Sequence, residues 1–305
     1  MSAKSRAAAV SVASNSTLLV LKLAVGLLSG SVSIVSEAIH SGNDLLAAAI
    51  AFLSVRRSDA AADAGHPYGH GKIEAVSGAV EALLIIGAAV WIVVEAVSRI
   101  RHGGEIEHLG LGAAVMGVSV VVNTLVARYL FRIAKREDSL ALEADAHHLS
   151  ADVYTSLGVA AGLAVVWGWR AWTGGSPALD VVDPIVGILV ALFIMKIGID
   201  LTRSSVGHLL DEGLPEPEAA VIRGLLDSHP AVLEWHGLRT RKSGSRREID
   251  VHVTMAGSLT LAESHAAARD IEGRIRAALP SAHAVIHVDP LDALPPERRP
   301  APAGH

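Results

Sequence analysis

Cysteine is absent from this chain of 305 residues, which removes disulfides and thiolate metal sites at one stroke. Any bound metal must be held by nitrogen and oxygen. Aromatic residues are scarce as well, at 4%, so the 51% hydrophobic share rests on Ala, Val, Leu and Ile. Charged residues make up only 19%, and the net charge of −5 offers no basic surface for nucleic acid. Histidine, by contrast, is plentiful: there are fifteen. With no sulfur ligand available, they turn attention to imidazole and carboxylate chemistry.

The charge is unevenly spread. Long apolar runs fill the first two thirds, whereas residues 211–305 are rich in Arg, Asp, Glu and His. That contrast predicts a membrane domain followed by a soluble one. A span needs about 20 mostly apolar residues. Six stretches qualify, near 9–29, 33–55, 75–98, 109–132, 143–169 and 178–201, separated by polar breaks such as KRED at 135–138. The amino terminus, MSAKSRAAAV, leads into a segment without a small-residue cleavage site and reads as a retained first helix. Six spans put both termini on one side. That side collects Lys4, Arg6, Arg56, Arg57, Lys72, Arg132, Lys135, Arg136 and Arg203, against Arg99, Arg101 and Arg170 on the other. The basic side is the expected cytoplasmic one, in the inner (plasma) membrane. Trp167, Trp169 and Trp172 cluster where the fifth span should leave the lipid, as an interfacial belt would.

Past Gly213 the periodicity changes. LPEPEAAVIRGLLDSHP reads as a short helix opened by Pro215 and Pro217. Two strands follow around a KSGS turn, the second with Ile249, Val251, Val253 and Met255 alternating with polar residues. TLAESHAAARDIEGRIRAAL reads as an amphipathic helix opened by the Thr260/Glu263 capping-box pattern, and HAVIHVDP as a last strand. The order αββαβ predicts a small α+β domain. The proline-rich tail, 292–305, reads as disordered.

Two apolar spans carry ionisable pairs at the same spacing. SEAIHSGND holds His40 and Asp44, and ADAHHLSAD holds His148 and Asp152, each pair four residues apart and so on one helix face. A charge at the bilayer centre costs at least ~2.5–3.5 kcal/mol, so such pairs need a reason. One HxxxD is weak, but two on facing helices supply two nitrogens and two oxygens, a tetrahedral set that suits Zn²⁺. The bland alternative is a hydrogen bond between packed helices. In the loop DAGHPYGHGKIE, Asp63, His66 and His70 have ligand spacing, or are a solvated turn with two stray histidines. The soluble segment carries His236, His252, His265, His287 and Asp289. Singly each reads as a surface residue, and together they suggest a second metal-binding region.

SEAIHSGNDLL, GHPYGHGKIE, ADAHHLSADV, LLDEGLP, HGLRTRKSG and VIHVDP occur in that order, and through them the chain resembles the cation diffusion facilitator family, in particular its bacterial zinc-exporting branch. The resemblance covers residues 10–290. It implies a homodimer of six-helix transport domains (1–205), each with a cytoplasmic ferredoxin-like domain (206–291), exchanging Zn²⁺ for protons across the lipid bilayer. It further implies an intramembrane transport site of His40, Asp44, His148 and Asp152, a loop site of Asp63, His66 and His70, and a binuclear site of His236, His252, His265, His287 and Asp289 near the dimer interface. Lys72 and Asp211 match a charge pair that locks the dimer. Some relatives carry Asp at the position of His40 and accept Cd²⁺, so histidine here resembles the zinc-selective pattern.

Histidine must be neutral to bind metal, so protons and Zn²⁺ compete for His40 and His148, which makes proton-coupled antiport the expected mechanism. The alternatives are the same scaffold exporting Co²⁺, Cd²⁺, Mn²⁺ or Fe²⁺, an intramembrane metalloenzyme, or a metal sensor. An enzyme is not expected, because HExxH is absent and no histidine boxes occur.

Overall fold

A computed structural model describes residues 2–29, 32–102, 109–173 and 182–291. The chain divides into two compact units, Met1–Val206 and Gly207–His305. The expected disordered tail lies outside the described residues, as do the side chains of Trp167, Trp169 and Trp172.

Among the described residues, the first unit is built from six long helices: α1 (Ala3–Ser29), α2 (Val32–Ser58), α3 (Ile73–His102), α4 (Leu109–Glu137), α5 (Leu140–Thr173) and α6 (Val182–Leu209). Five of these helices carry, among the described residues, stretches long and apolar enough to cross a bilayer: Ala3–Leu28, Ala38–Ser58, Ile73–Ser98, Ala114–Glu137 and Ile185–Leu209. The sixth, α5, carries Glu143, Asp145, His147, His148 and Asp152 in its first four turns. Many large apolar side chains face outward, among them Leu28, Leu53, Leu83, Trp91, Leu125 and Leu189. Such a surface suits lipid rather than water.

The helices outrun the apolar stretches that predict them. The first begins at Ala3 rather than near residue 9, and α4 continues to Glu137 through most of the KRED break. Hydropathy marks where hydrocarbon ends, whereas a helix ends where its backbone hydrogen bonds do. The α4–α5 connection is correspondingly tight, with Asp138 at φ 51°. Asp is one of the few residues that accepts this left-handed conformation.

Helices α1, α2, α4 and α5 share an apolar core at one end of the bundle. Ala7 and Ala8 of α1 meet Val55 of α2, Ala127 and Leu130 of α4, and Ala141, Leu142, Ala146 and Leu149 of α5. Small residues let these backbones approach closely.

The second unit follows the expected order: α7 (Glu216–Asp227), β1 (Glu234–Ser243), β2 (Arg246–Met255), α8 (Leu261–Ala278) and β3 (Ala282–Pro290). The sheet order is β1-β2-β3, antiparallel between β1 and β2 and parallel between β2 and β3. A parallel neighbour needs a crossover, and α8 provides it. Ile249, Val251, Val253 and Met255 all face the core, against Ile222 and Leu226 of α7 and Ile271 and Ile275 of α8. The capping box is formed: Thr260 Oγ1 accepts from the Glu263 amide, and Glu263 accepts from the Thr260 amide. That amide, with the Thr260 hydroxyl, holds the Glu263 carboxyl below its ordinary range.

Candidate metal sites

The two HxxxD pairs meet. Helices α2 and α5 pack together, and the one-turn spacing turns both residues of each pair to the shared face. His40 Nε2 lies 3.9 Å from Asp44 Oδ1 and 3.7 Å from Asp152 Oδ1. His148 Nε2 lies 3.5 Å from Asp44 Oδ1. For bonds near 2.0–2.2 Å, the ligand atoms of a tetrahedral zinc site stand about 3.3 Å apart. The separations among His40, Asp44 and Asp152 are only slightly wider, and these three offer ligand atoms within 4.8 Å of one another; His148 lies outside that group and reaches it through Asp44.

The burial of these groups says more than their spacing. Asp44 is 5% exposed and His148 8%. Asp44 Oδ1, both ring nitrogens of His148 and Asp152 Oδ2 are buried without a hydrogen-bond partner among the described residues. Orphaned buried polar atoms are costly, and one cation could satisfy Asp44 Oδ1, Asp152 Oδ2 and a single ring nitrogen of His148 together. A helix-packing hydrogen bond, the bland alternative, would have satisfied them already. His40, Asp44 and Asp152 open onto a cavity of about 180 Å³ whose lining also includes Lys22, Ser119 and Asn123. Lys22 was not singled out from the sequence. It is buried, and its ammonium donates to Ser41 Oγ at 2.8 Å.

The loop between α2 and α3 brings its three candidates together. Asp63 Oδ1 lies 3.4 Å from His66 Nδ1, and Oδ2 lies 3.3 Å from His70 Nε2. The turn is closed by Asp63 Oδ1, which accepts from the amides of His66 at 2.7 Å and Gly65 at 2.9 Å. The His66 amide is the main cause holding the Asp63 carboxyl below its usual range, with the His66 side chain, His70 and Gly65 contributing. A depressed carboxyl supports the turn above the ordinary carboxylate range, and that support is lost only as pH falls through the lower, folded-state value. His70 is buried and within 3.4 Å of Arg57 Nη2. Lys72 is half-buried just beyond the loop.

In the second unit the sheet register does the assembling. His236 pairs across to His252, and His252 pairs across to His287, so three imidazoles form one row over β1, β2 and β3. Their ring centroids are 5.0 and 4.6 Å apart. Asp289, two residues along β3 on the same face, reaches all three: His252 Nδ1 at 3.1 Å, His287 Nε2 at 3.2 Å and His236 Nε2 at 3.8 Å. Gly237 follows His236 at φ 61°, where the β1–β2 pairing shifts register, and an added Cβ would stand 3.4 Å from His252. Glycine suits both the conformation and the close approach. His265 is exposed on α8 and, among the described residues, stands outside this group. Asp211, at φ 60°, is 3.2 Å from Arg241 Nη1.

Comparison with known proteins agrees with this organisation. A family model described as the cation efflux transmembrane domain matches residues 8–210, and one described as the cation efflux protein cytoplasmic domain matches 214–291. The uncharacterized transporter sll1263 of Synechocystis sp. is 32% identical over 275 residues, covering 89% of this chain and 86% of that protein. The cation-efflux pump FieF of Escherichia fergusonii is 30% identical over 294 residues, covering 96% and 95%. A solved structure of CzrB in its zinc form is 33% identical, with a TM-score of 0.26, covering 28% of this chain and 98% of that one.

Proposed function

Because this chain belongs to the cation efflux family, we propose that it exports Zn²⁺ from the cytoplasm in exchange for protons through the His40/Asp44/His148/Asp152 site. Proteins of this family are multi-pass membrane transporters of divalent metal cations rather than enzymes. The observation that carries the finer reading is the set of orphaned buried atoms on Asp44, His148 and Asp152. Two imidazoles and two carboxylates favour Zn²⁺ over Mn²⁺, which prefers six oxygen ligands. Expelling a 2+ ion against an inside-negative potential costs about 2 × 2.3 kcal/mol per 100 mV, so export needs a driving ion. Histidine supplies the coupling: a proton arriving from outside displaces the metal from His40 and His148, and the inward-facing site releases it.

The excess of Lys and Arg at the ends of α1, α2, α4 and α6 that share a side supports a cytoplasmic location for that side and both termini. The His236/His252/Asp289 group, extended by His287, is proposed as an accessory metal region of a homodimer, with His265 of α8 a further proposed ligand that stands outside the group in the single chain, and Asp63, His66 and His70 as an accessory site on the cytoplasmic loop. Lys72 and Asp211 are proposed as the charge pair that steadies the dimer.

The test is initial-rate flux in proteoliposomes under an imposed pH gradient, with Zn²⁺, Cd²⁺, Co²⁺ and Mn²⁺ in turn. Zn²⁺ flux that follows the gradient is expected; equal flux without it would refute antiport. In the same assay His40→Asp should raise the Cd²⁺ to Zn²⁺ ratio rather than abolish transport. It exchanges a nitrogen ligand for an oxygen at a site that keeps four donors. An unchanged ratio would remove His40 from the basis of selectivity.

A further inference from the structure

Four helix ends are tied together by one buried ion pair at the end of the bundle opposite the cavity. Lys4, in the first turn of α1, is 7% exposed, and Glu74, in the first turn of α3, is fully buried. The Lys4 ammonium donates to Glu74 Oε1 at 2.8 Å and lies 2.9 Å from Asp59 Oδ1, just past α2. Ser58, the last residue of α2, donates to Glu74 Oε1 at 2.8 Å, and Ser139, just before α5, donates to Oε2 at 2.6 Å. Ser2 completes the set by donating to Asp59 Oδ2 at 2.6 Å.

The position of this network gives it a consequence. Asp44 is fourteen residues from the end of α2, about 21 Å along the helix. Between the two lie the apolar core of Val55, Ala127, Leu130, Leu142 and Leu149 and the buried carboxyl groups of Glu81 and Asp145. The cavity at His40 and Asp44 instead continues toward Lys22, Met116 and Ser156, away from Lys4. The bundle is therefore plugged between the transport site and the Lys4 end, and the ion pair sits at the outer edge of the plug.

We propose that Lys4 is a positioning residue for transport: its ion pair with Glu74 clasps this end shut, and metal enters through it only when the pair parts. This rests on the alternating-access reading given above. A buried pair with one partner lost is strongly unfavourable, whereas both charges are well solvated once water enters. The clasp thus has two good arrangements, closed and dry or open and hydrated, with a poor one between them. Packed elements switched by such a contact move between states rather than deform continuously. The loop bearing Asp63, His66 and His70 runs between the two acids of the clasp, Asp59 and Glu74, so the loop site lies beside the door that Lys4 closes.

The absence of native cysteine makes the test direct, since one introduced thiol is a unique reporter. Leu142→Cys places it in the plug and Ile85→Cys places it at a second buried position on α3. The readout is labelling by a membrane-impermeant maleimide from the Lys4 side, in full-length protein reconstituted without metal. Lys4→Met should raise labelling at position 142 by about tenfold or more, with position 85 unchanged and Lys4→Arg still shielded. Glu74→Gln, which keeps a partner for Ser58 and Ser139, should do the same and serves if Lys4→Met does not accumulate. In flux, Lys4→Met should change the maximal rate more than the KM, because the metal ligands are untouched. Shielding of position 142 in both variants would overturn the clasp, as would equal exposure of positions 142 and 85. Because labelling needs no flux, either result leaves the transport site to its own test.

Discussion

Asp44→Ala should reduce pH-driven Zn²⁺ flux to the level of protein-free liposomes, and Asp152→Ala should do likewise. Asp44 Oδ1 is the atom shared by both histidines, 3.9 Å from His40 Nε2 and 3.5 Å from His148 Nε2. Without it, two imidazoles and one carboxylate remain for an ion that needs four donors. Loss of an outer-shell partner costs roughly 10–100-fold in metal affinity, and loss of a direct ligand should cost more. Neither substitution should harm insertion, since each removes a charge from an apolar span. His66→Ala and His265→Ala provide the contrast. Both residues are exposed and outside the intramembrane quartet, so transport should persist with altered apparent affinity or weaker dimers. The measurement is initial-rate uptake in inside-out vesicles, with expression and dimer fraction checked for each variant. Wild-type flux in Asp44→Ala would end the intramembrane reading. Complete loss in His66→Ala, with the dimer intact, would instead make the loop an obligatory station on the route.

The parts of this site that sequence can show are those that depend on one helix or one strand at a time. The one-turn spacing of His40 with Asp44 and of His148 with Asp152 is visible in any helical register, and so is the alternation of Ile249, Val251, Val253 and Met255 in β2. The αββαβ order follows from the same local periodicities. Which elements face each other is another matter. The row His236–His252–His287 requires β3 to lie parallel to β2 at one register, and a slip of one residue would send His287 to the core face.

The clasp is the clearest case of what sequence hides. Lys4 and Glu74 are seventy residues apart and belong to no motif that contains both. Lys4 falls before the first apolar stretch, so counting it as a topogenic charge is correct but incomplete: α1 extends to Ala3 and buries it. Lys22, Glu81 and Asp145 carry a fainter signal. Each is an ionisable residue in an apolar helix, and each is buried; Asp145 stands one turn before His148 on α5, but the repeated HxxxD spacing draws attention past it. His265 shows the reverse. Its sequence context groups it with the other histidines of the soluble domain, while the described structure leaves it exposed on α8.

Asp289→Ala should remove most metal binding by the cytoplasmic domain while leaving the sheet intact. One carboxylate reaches three imidazoles here, so its loss takes away the only acid in the group and the only negative charge facing His236, His252 and His287 among the described contacts. Single histidine substitutions remove one donor of four and should do less. The fold should tolerate the change, because Asp289 faces away from the core that Val251, Val253, Ile271 and Ile275 form with Ile286 and Val288. Two quantities decide the matter in full-length protein carrying Asp44→Ala, which silences the transport site. With Asp63→Ala also present to silence the loop site, the zinc affinity of the remaining cluster, measured by equilibrium dialysis, should fall in Asp289→Ala by at least the roughly 10–100-fold that even an outer-shell partner produces. The dimer fraction, measured by light scattering in detergent with and without Zn²⁺, should lose its metal dependence. If metal binding and the zinc response of the dimer both survive Asp289→Ala, the histidine row is a stacked surface feature and not an accessory site.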